Sequence, residues 1–137
     1  MANSFTVQTI EEGQRNLIVK LTGYLDTSNQ TATAGNAITI ANYNCGGTAP
    51  TPTAVRIDHI DYSITDQLEV QLIWDAASPV IFLPLAGRGR MGFTDYGGIQ
   101  NNATSPTGNV NIATTGWASG IQIYSIILHC VKQGPAL

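Results

Sequence analysis

Charge is what this sequence has least of. Asp, Glu, Lys and Arg make up 11% of its 137 residues, against about 25% in an average soluble domain. Six Lys and Arg stand against nine Asp and Glu, a formal net charge of -3. That balance excludes a polycationic nucleic-acid binder, because duplex binding rests on neutralising phosphates with Lys and Arg. It also excludes the highly charged type of disorder. Long apolar runs are missing too. The longest, such as Val80 to Leu85 with its internal Pro84, fall far below the roughly 18 residues that span a membrane. Met1 to Thr9 has neither the basic start nor the apolar stretch of about 7 to 15 residues of a secretory signal. The expectation is a protein made in the cytoplasm with no membrane partner. Cysteine is scarce: Cys45 falls in a Cys-Gly-Gly loop and Cys130 in an expected strand, and in a reducing compartment two such thiols stay free.

Uncharged polar residues take the place of charge, with Ser, Thr, Asn and Gln supplying 41 residues. At about 100 to 200 residues per domain, residues 1–137 make a single domain, whose folded surface should be roughly 6,900 Å². No segment of ten or more residues carries an i, i+3, i+4 apolar stripe, whereas period-two alternation is widespread. In Asn16 to Leu25, Leu17, Val19, Leu21 and Leu25 share one face while Lys20, Thr22 and Tyr24 point the other way. Further strands are expected at Phe5–Ile10, Ala37–Ala41, Val55–Thr65, Leu68–Trp74, Val80–Leu85, Arg90–Thr94, Asn109–Thr114 and Ile121–Lys132, nine in all. Turn residues such as Glu12-Gly13, Ala34-Gly35, Ser78-Pro79 and Gly97-Gly98 separate them. Short, regularly spaced strands of this kind build an all-β, antiparallel sandwich, jelly-roll-like, of eight or nine strands.

Two strands break the simple pattern. Val55 and Ile57 lie on odd positions but Ile60, Tyr62 and Ile64 on even ones, so the buried face changes parity near Asp58 and His59, and a bulge there would restore the register. In the last strand Ile121, Ile123 and Ile127 occupy one face and Tyr124, Ile126 and Leu128 the other, so both faces ask for cover.

Candidate chemistry is sparse. Asp58, His59 and Asp61 are the one close cluster of ligand types, but alternation lets at most two of them reach one ion, and metal sites use three or four ligands. The second histidine, His129, lies on another strand. No Gly-x-Ser-x-Gly elbow occurs, and Asp58, Asp61, Asp66, Glu69 and Asp75 offer no selected pair of carboxylates. The expectation is no enzyme, no metal and no cofactor. Arg88 and Arg90 alternate with glycines, and their expected use is a hydrogen bond to a protein carboxylate or carbonyl. Trp74 belongs to the core by its alternation with Leu68, Val70 and Leu72. Trp117, in an uncharged loop, suits an interface anchor.

No Asp, Glu, Lys or Arg occurs in the 36 residues from Tyr96 to Val131 or in the 29 from Thr27 to Val55. Isolated domains intersperse both signs over their surface, so these runs suggest contact with other protein. The stretch from Trp74 to Lys132 resembles small all-β structural proteins of tailed bacteriophages, the capsid decoration or cement proteins. It does so at Trp74-Asp75, Gly87 to Gly92, Phe93-Thr94-Asp95-Tyr96-Gly97-Gly98, Thr107 to Ile112, Thr114-Thr115-Gly116 and Tyr124 to Leu128. The resemblance implies a virion protein on the capsid exterior, with the major capsid protein for a partner and without catalytic residues, while the uncharged run from Tyr96, Trp117 and the two-faced last strand lead to the expectation of a trimer or dimer. Trp117, Arg88, Arg90, Tyr96, Phe5 and Val7 are the expected contact residues. The alternatives are a carbohydrate- or receptor-binding jelly-roll module of a tail, with Trp117, Tyr96 and Tyr43 as its aromatics, or a neck or tail component.

Overall fold

The computed structural model describes residues 3–13, 15–33, 35–43 and 52–133. Among them are eight strands: β1 (Ser4–Glu12), β2 (Asn16–Leu25), β3 (Ala54–Ile64), β4 (Glu69–Ser78), β5 (Val80–Leu85), β6 (Arg88–Gly92), β7 (Thr104–Thr115) and β8 (Gln122–Gln133). They form two antiparallel sheets, one of five strands in the order β1-β2-β8-β3-β6 and one of three in the order β5-β4-β7. The antiparallel sandwich read from the alternation is therefore the fold.

The wiring is that of a single long hairpin rolled up. Counted outward from the connection at Pro79, β4 pairs with β5, β3 with β6, Ile38 with Val110 of β7, and β2 with β8. Rolling this ribbon sets β8 beside β3 and β7 beside β4, which is jelly-roll connectivity. β1 is an extra strand on the free side of β2.

Two expected strands are corrected. Ala37–Ala41 is not a strand: it contributes one bridge, Ile38 to Val110, and then turns through a 3-10 segment at Ile40–Asn42. Side chains replace the missing ladder. The Asn36 side-chain amide accepts from the Ile112 N–H at 2.7 Å and donates to the Ile112 carbonyl at 2.9 Å. Asn109 Oδ1 accepts from the Ile40 N–H, and Asn111 Oδ1 from the Gly35 N–H. Arg90–Thr94 is displaced to Arg88–Gly92, because after one last bond in register, from the Phe93 N–H to the Asp58 carbonyl, the chain enters a 3-10 turn at Thr94–Tyr96.

The core lies between the sheets. Leu17, Val19, Leu21 and Leu25 of β2, Val70, Leu72 and Trp74 of β4, Val110 and Ile112 of β7, and Tyr124, Ile126, Leu128 and Cys130 of β8 are all buried. Each large apolar side chain so placed contributes about 1.5–3 kcal/mol relative to exposure. Trp74 is completely buried and stacks on Phe82 with ring centroids 3.9 Å apart. Of the two apolar faces of β8, the Tyr124 face is core and the Ile123 face points out of the sandwich. The accessible surface is 6944 Å², as size scaling anticipates.

The parity change in β3 is a β-bulge between Ile57 and His59 in its pairing with β8. Val55 and Ile57 point inward before it, Ile60 and Ile64 after it. Without the extra residue, His59 would share the inward face of Ile57. The bulge turns it outward.

The two uncharged runs meet each other. Residues 29–33 and 35–40 lie along β7 and are fastened by Asn36, Asn109 and Asn111, by Thr114 Oγ1 accepting from the Gln30 N–H, and by Asn29 accepting from the Trp117 N–H. Much of their uncharged polarity thus satisfies backbone groups inside the molecule, where an ion would carry a desolvation cost.

Candidate functional site

The outer face of the five-stranded sheet carries an ionisable cluster built by register. His59 of β3 lies directly opposite His129 of β8, and Asp61 opposite both Ile127 of β8 and Arg90 of β6. Asp61 Oδ1 lies 3.1 Å from His59 Nε2 and accepts from Arg90 Nε at 2.9 Å, while its Oδ2 lies 3.4 Å from His129 Nε2. The two imidazoles meet edge to face with centroids 5.0 Å apart. Side-chain exposure is 29% for His59, 27% for Asp61 and 36% for His129, but 75% for Arg90. The first three are held on central strands yet open to solvent, and Arg90 reaches Asp61 from an exposed position on an edge strand.

Partial burial alone would raise the Asp61 pKa. The hydrogen bonds from Arg90 and His59, with their positive charge, outweigh it and hold the carboxyl below the usual carboxylate value. Recesses flank the cluster. One of about 310 Å³ is lined by Glu11, Asn16, Ile18, Asp58, His59, Thr94 and His129, among others. A second, of about 210 Å³, is lined by Asp61, Ser63, Gly89 and Ser125, among others. Asp58 itself is paired with Arg56 at 2.9 Å.

His59 and Asp61 do share a face, as the alternation implied. His129 does lie on another strand, but β3 and β8 are hydrogen-bonded neighbours, and the bulge aligns the two rings. The parity change was the signal for the outward turn of His59, whereas nothing local in the sequence sets the register that delivers His129.

The expected contact residues do not form one patch. Phe5 is half-buried on the inward side of β1, its ring 6.4 Å from that of Tyr124. Val7, in register with inward-facing Leu21, remains 39% exposed because β1 lies at the edge of the wider sheet. Arg88 and Arg90 point outward, in register with Ser63 and Asp61, and Arg90 makes the expected bond to a carboxylate. Trp117 is half-buried against the core, with Nε1 donating to the Gly120 carbonyl inside its own loop. Tyr96 ends the 3-10 turn after β6. Tyr43 is buried, its hydroxyl 3.1 Å from Thr9 Oγ1. Cys45 lies outside the described residues.

An apolar row that was not singled out as a site sits at the end of the sheet where β2 finishes and β8 begins. Tyr24 and Ile123 are cross-strand partners, exposed by 50% and 46%, and Ile121, which precedes β8, is 58% exposed. Among the described residues no helix is long and apolar enough to cross a membrane. Comparison with family models, curated proteins and solved structures finds no match. The site and the fold therefore carry the functional argument by themselves.

Proposed function

We propose that this chain is a non-enzymatic structural protein of a phage virion, which decorates the outside of the capsid and stabilises it by bridging capsid subunits. The observation that carries this reading is the exposed pair Tyr24 and Ile123 on a sheet face that no other layer of the described chain covers, with exposed Ile121 just before β8. Contiguous apolar side chains of this size suit a protein partner. A standard interface removes about 800 Å² per partner, around a ninth of this surface, so one face of the wider sheet has room for it. Repetition on a symmetric shell lets modest contacts add through effective concentration. Low net charge and a mildly acidic pI of about 5.0 suit a position away from packaged DNA. The carbohydrate-binding alternative draws less support, since Tyr43 is buried and Trp117 is packed against the core.

The test is composition and occupancy. In purified particles the chain should be present at a high, fixed ratio to the major capsid protein, and a Tyr24→Ser/Ile123→Thr variant should bind stripped heads more weakly while keeping its circular dichroism spectrum. A few copies per particle would favour a neck or tail position, and absence from particles would overturn the reading. Light scattering of the free chain tests the expected trimer or dimer.

A further inference from the structure

Three ligating side chains converge on the outer face of the five-stranded sheet, and we infer that His59, Asp61 and His129 together bind one divalent transition-metal ion, with Zn²⁺ the best match. Their nearest donor atoms all lie within 4.8 Å of one another. Donors around one zinc ion sit about 2.0–2.2 Å from it, hence roughly 3–4 Å apart, so small side-chain rotations close the set. Both imidazoles already direct Nε2 at the same carboxylate, one to each oxygen. An ion between them would take the place of the shared protons.

Backbone geometry preorganises the set. The histidines are cross-strand partners on the central strands β3 and β8, and Asp61 follows His59 by two residues on the same face. The bulge at Asp58 brings His59 into this set, and bulges are a recurrent means of aiming a side chain at a site. Two imidazoles and one carboxylate select the borderline ions, zinc, nickel, cobalt or copper, over calcium and magnesium, which require oxygen donors. Three protein ligands leave at least one coordination position for water or a small oxygen ligand. The recess of about 310 Å³ beside both histidines supplies the space.

Arg90 opposes binding. Its guanidinium donates to Asp61 at 2.9 Å and brings positive charge to the site, but its side chain is 75% exposed and can swing into solvent. It therefore competes with the ion for the carboxylate. A cluster that was only an Arg-Asp-His hydrogen-bond network would not respond to a metal at all, whereas a metal site should improve when Arg90 is removed.

The experiment is calorimetric titration of the full, tag-free, chelator-treated chain with ZnCl₂, with Co²⁺ absorption in the visible as a second readout of ligand geometry. One ion per chain is expected. His59→Ala and His129→Gln should each weaken binding by about tenfold or more, on the scale by which even outer-shell changes act. Arg90→Ala, at an exposed position, should tighten it several-fold, with folding checked by circular dichroism. Absence of stoichiometric binding by both the wild type and Arg90→Ala would overturn the inference. So would binding left unchanged in both histidine variants.

Discussion

The Tyr124 ring lies against Gly23 of the neighbouring strand, in the volume that a β-carbon on Gly23 would fill. The two residues are register partners in β2 and β8, and both are buried. Glycine ordinarily weakens a strand interior, so Ala would be favoured by propensity alone. Here Gly23→Ala should instead cost about 1–3 kcal/mol, the usual range for overpacking. Urea denaturation measures it. The double variant Gly23→Ala/Tyr124→Leu should cost less than the two single changes added together, because the second change removes the obstruction created by the first. Stability equal to wild type in Gly23→Ala would show that the ring moves aside freely.

Asn36 does the work of a strand residue without belonging to a strand. Its amide bonds both the N–H and the carbonyl of Ile112, a fully buried residue of β7. Asn36→Ala leaves both backbone groups without this partner, and an unsatisfied buried polar group costs about 1–3 kcal/mol. The expected outcome is a loss in that range together with faster hydrogen exchange at the Ile112 amide. Exchange at the Leu128 amide, in the five-stranded sheet, should change only as much as global stability requires. Equal acceleration at both sites would mean that the segment at Asn36 does not open locally.

These two contacts mark what the sequence makes legible. Alternation at Leu17, Val19 and Leu21 gives the inward face of β2 directly, and the parity break between Ile57 and Ile60 identifies the bulge, because both are local consequences of a two-residue period. The Ala37–Ala41 segment carries the same alternation and fails as a strand, since Asn36, Asn109 and Asn111 satisfy by side chain what a ladder would otherwise satisfy. Their asparagines read from sequence as uncharged surface, and the structure uses them internally. His129 could not be joined to His59 from the sequence, because their pairing depends on how the long hairpin rolls, a global property with no local signature. Trp117 illustrates the reverse: a loop position suggested exposure, yet the indole folds back on the core and bonds within its own turn.

Cys130 is a buried thiol on the core face of β8. Burial first, and the nearby negative charge of Asp58 second, push its pKa well above the ordinary thiol value. The thiolate is the reactive form, so native protein at neutral pH should show no alkylation of Cys130 by iodoacetamide over a time in which the urea-unfolded chain is fully modified. Peptide mapping by mass spectrometry reads this residue separately from Cys45. Rapid labelling of Cys130 in the native state would contradict its placement in the core.

Asp61 links the ionisable cluster to pH. Its carboxyl, raised by burial but lowered more by Arg90 and His59, is more acidic in the folded chain than the ordinary value of 3.8. A group of this kind favours the folded state at pH values above its unfolded pKa, and the contribution fades as the pH falls through the lower folded value. Asp61→Asn keeps an acceptor oxygen for Arg90 but lacks the charge at every pH. With metal removed by chelator, wild type should therefore be more stable than Asp61→Asn above the ordinary carboxylate value of 3.8, and the gap should close as the pH is lowered below it. Urea midpoints measured across that range test the sign. A gap that is constant with pH would assign the role of Asp61 to hydrogen bonding alone, and a gap that widens toward acid would contradict the lowered pKa.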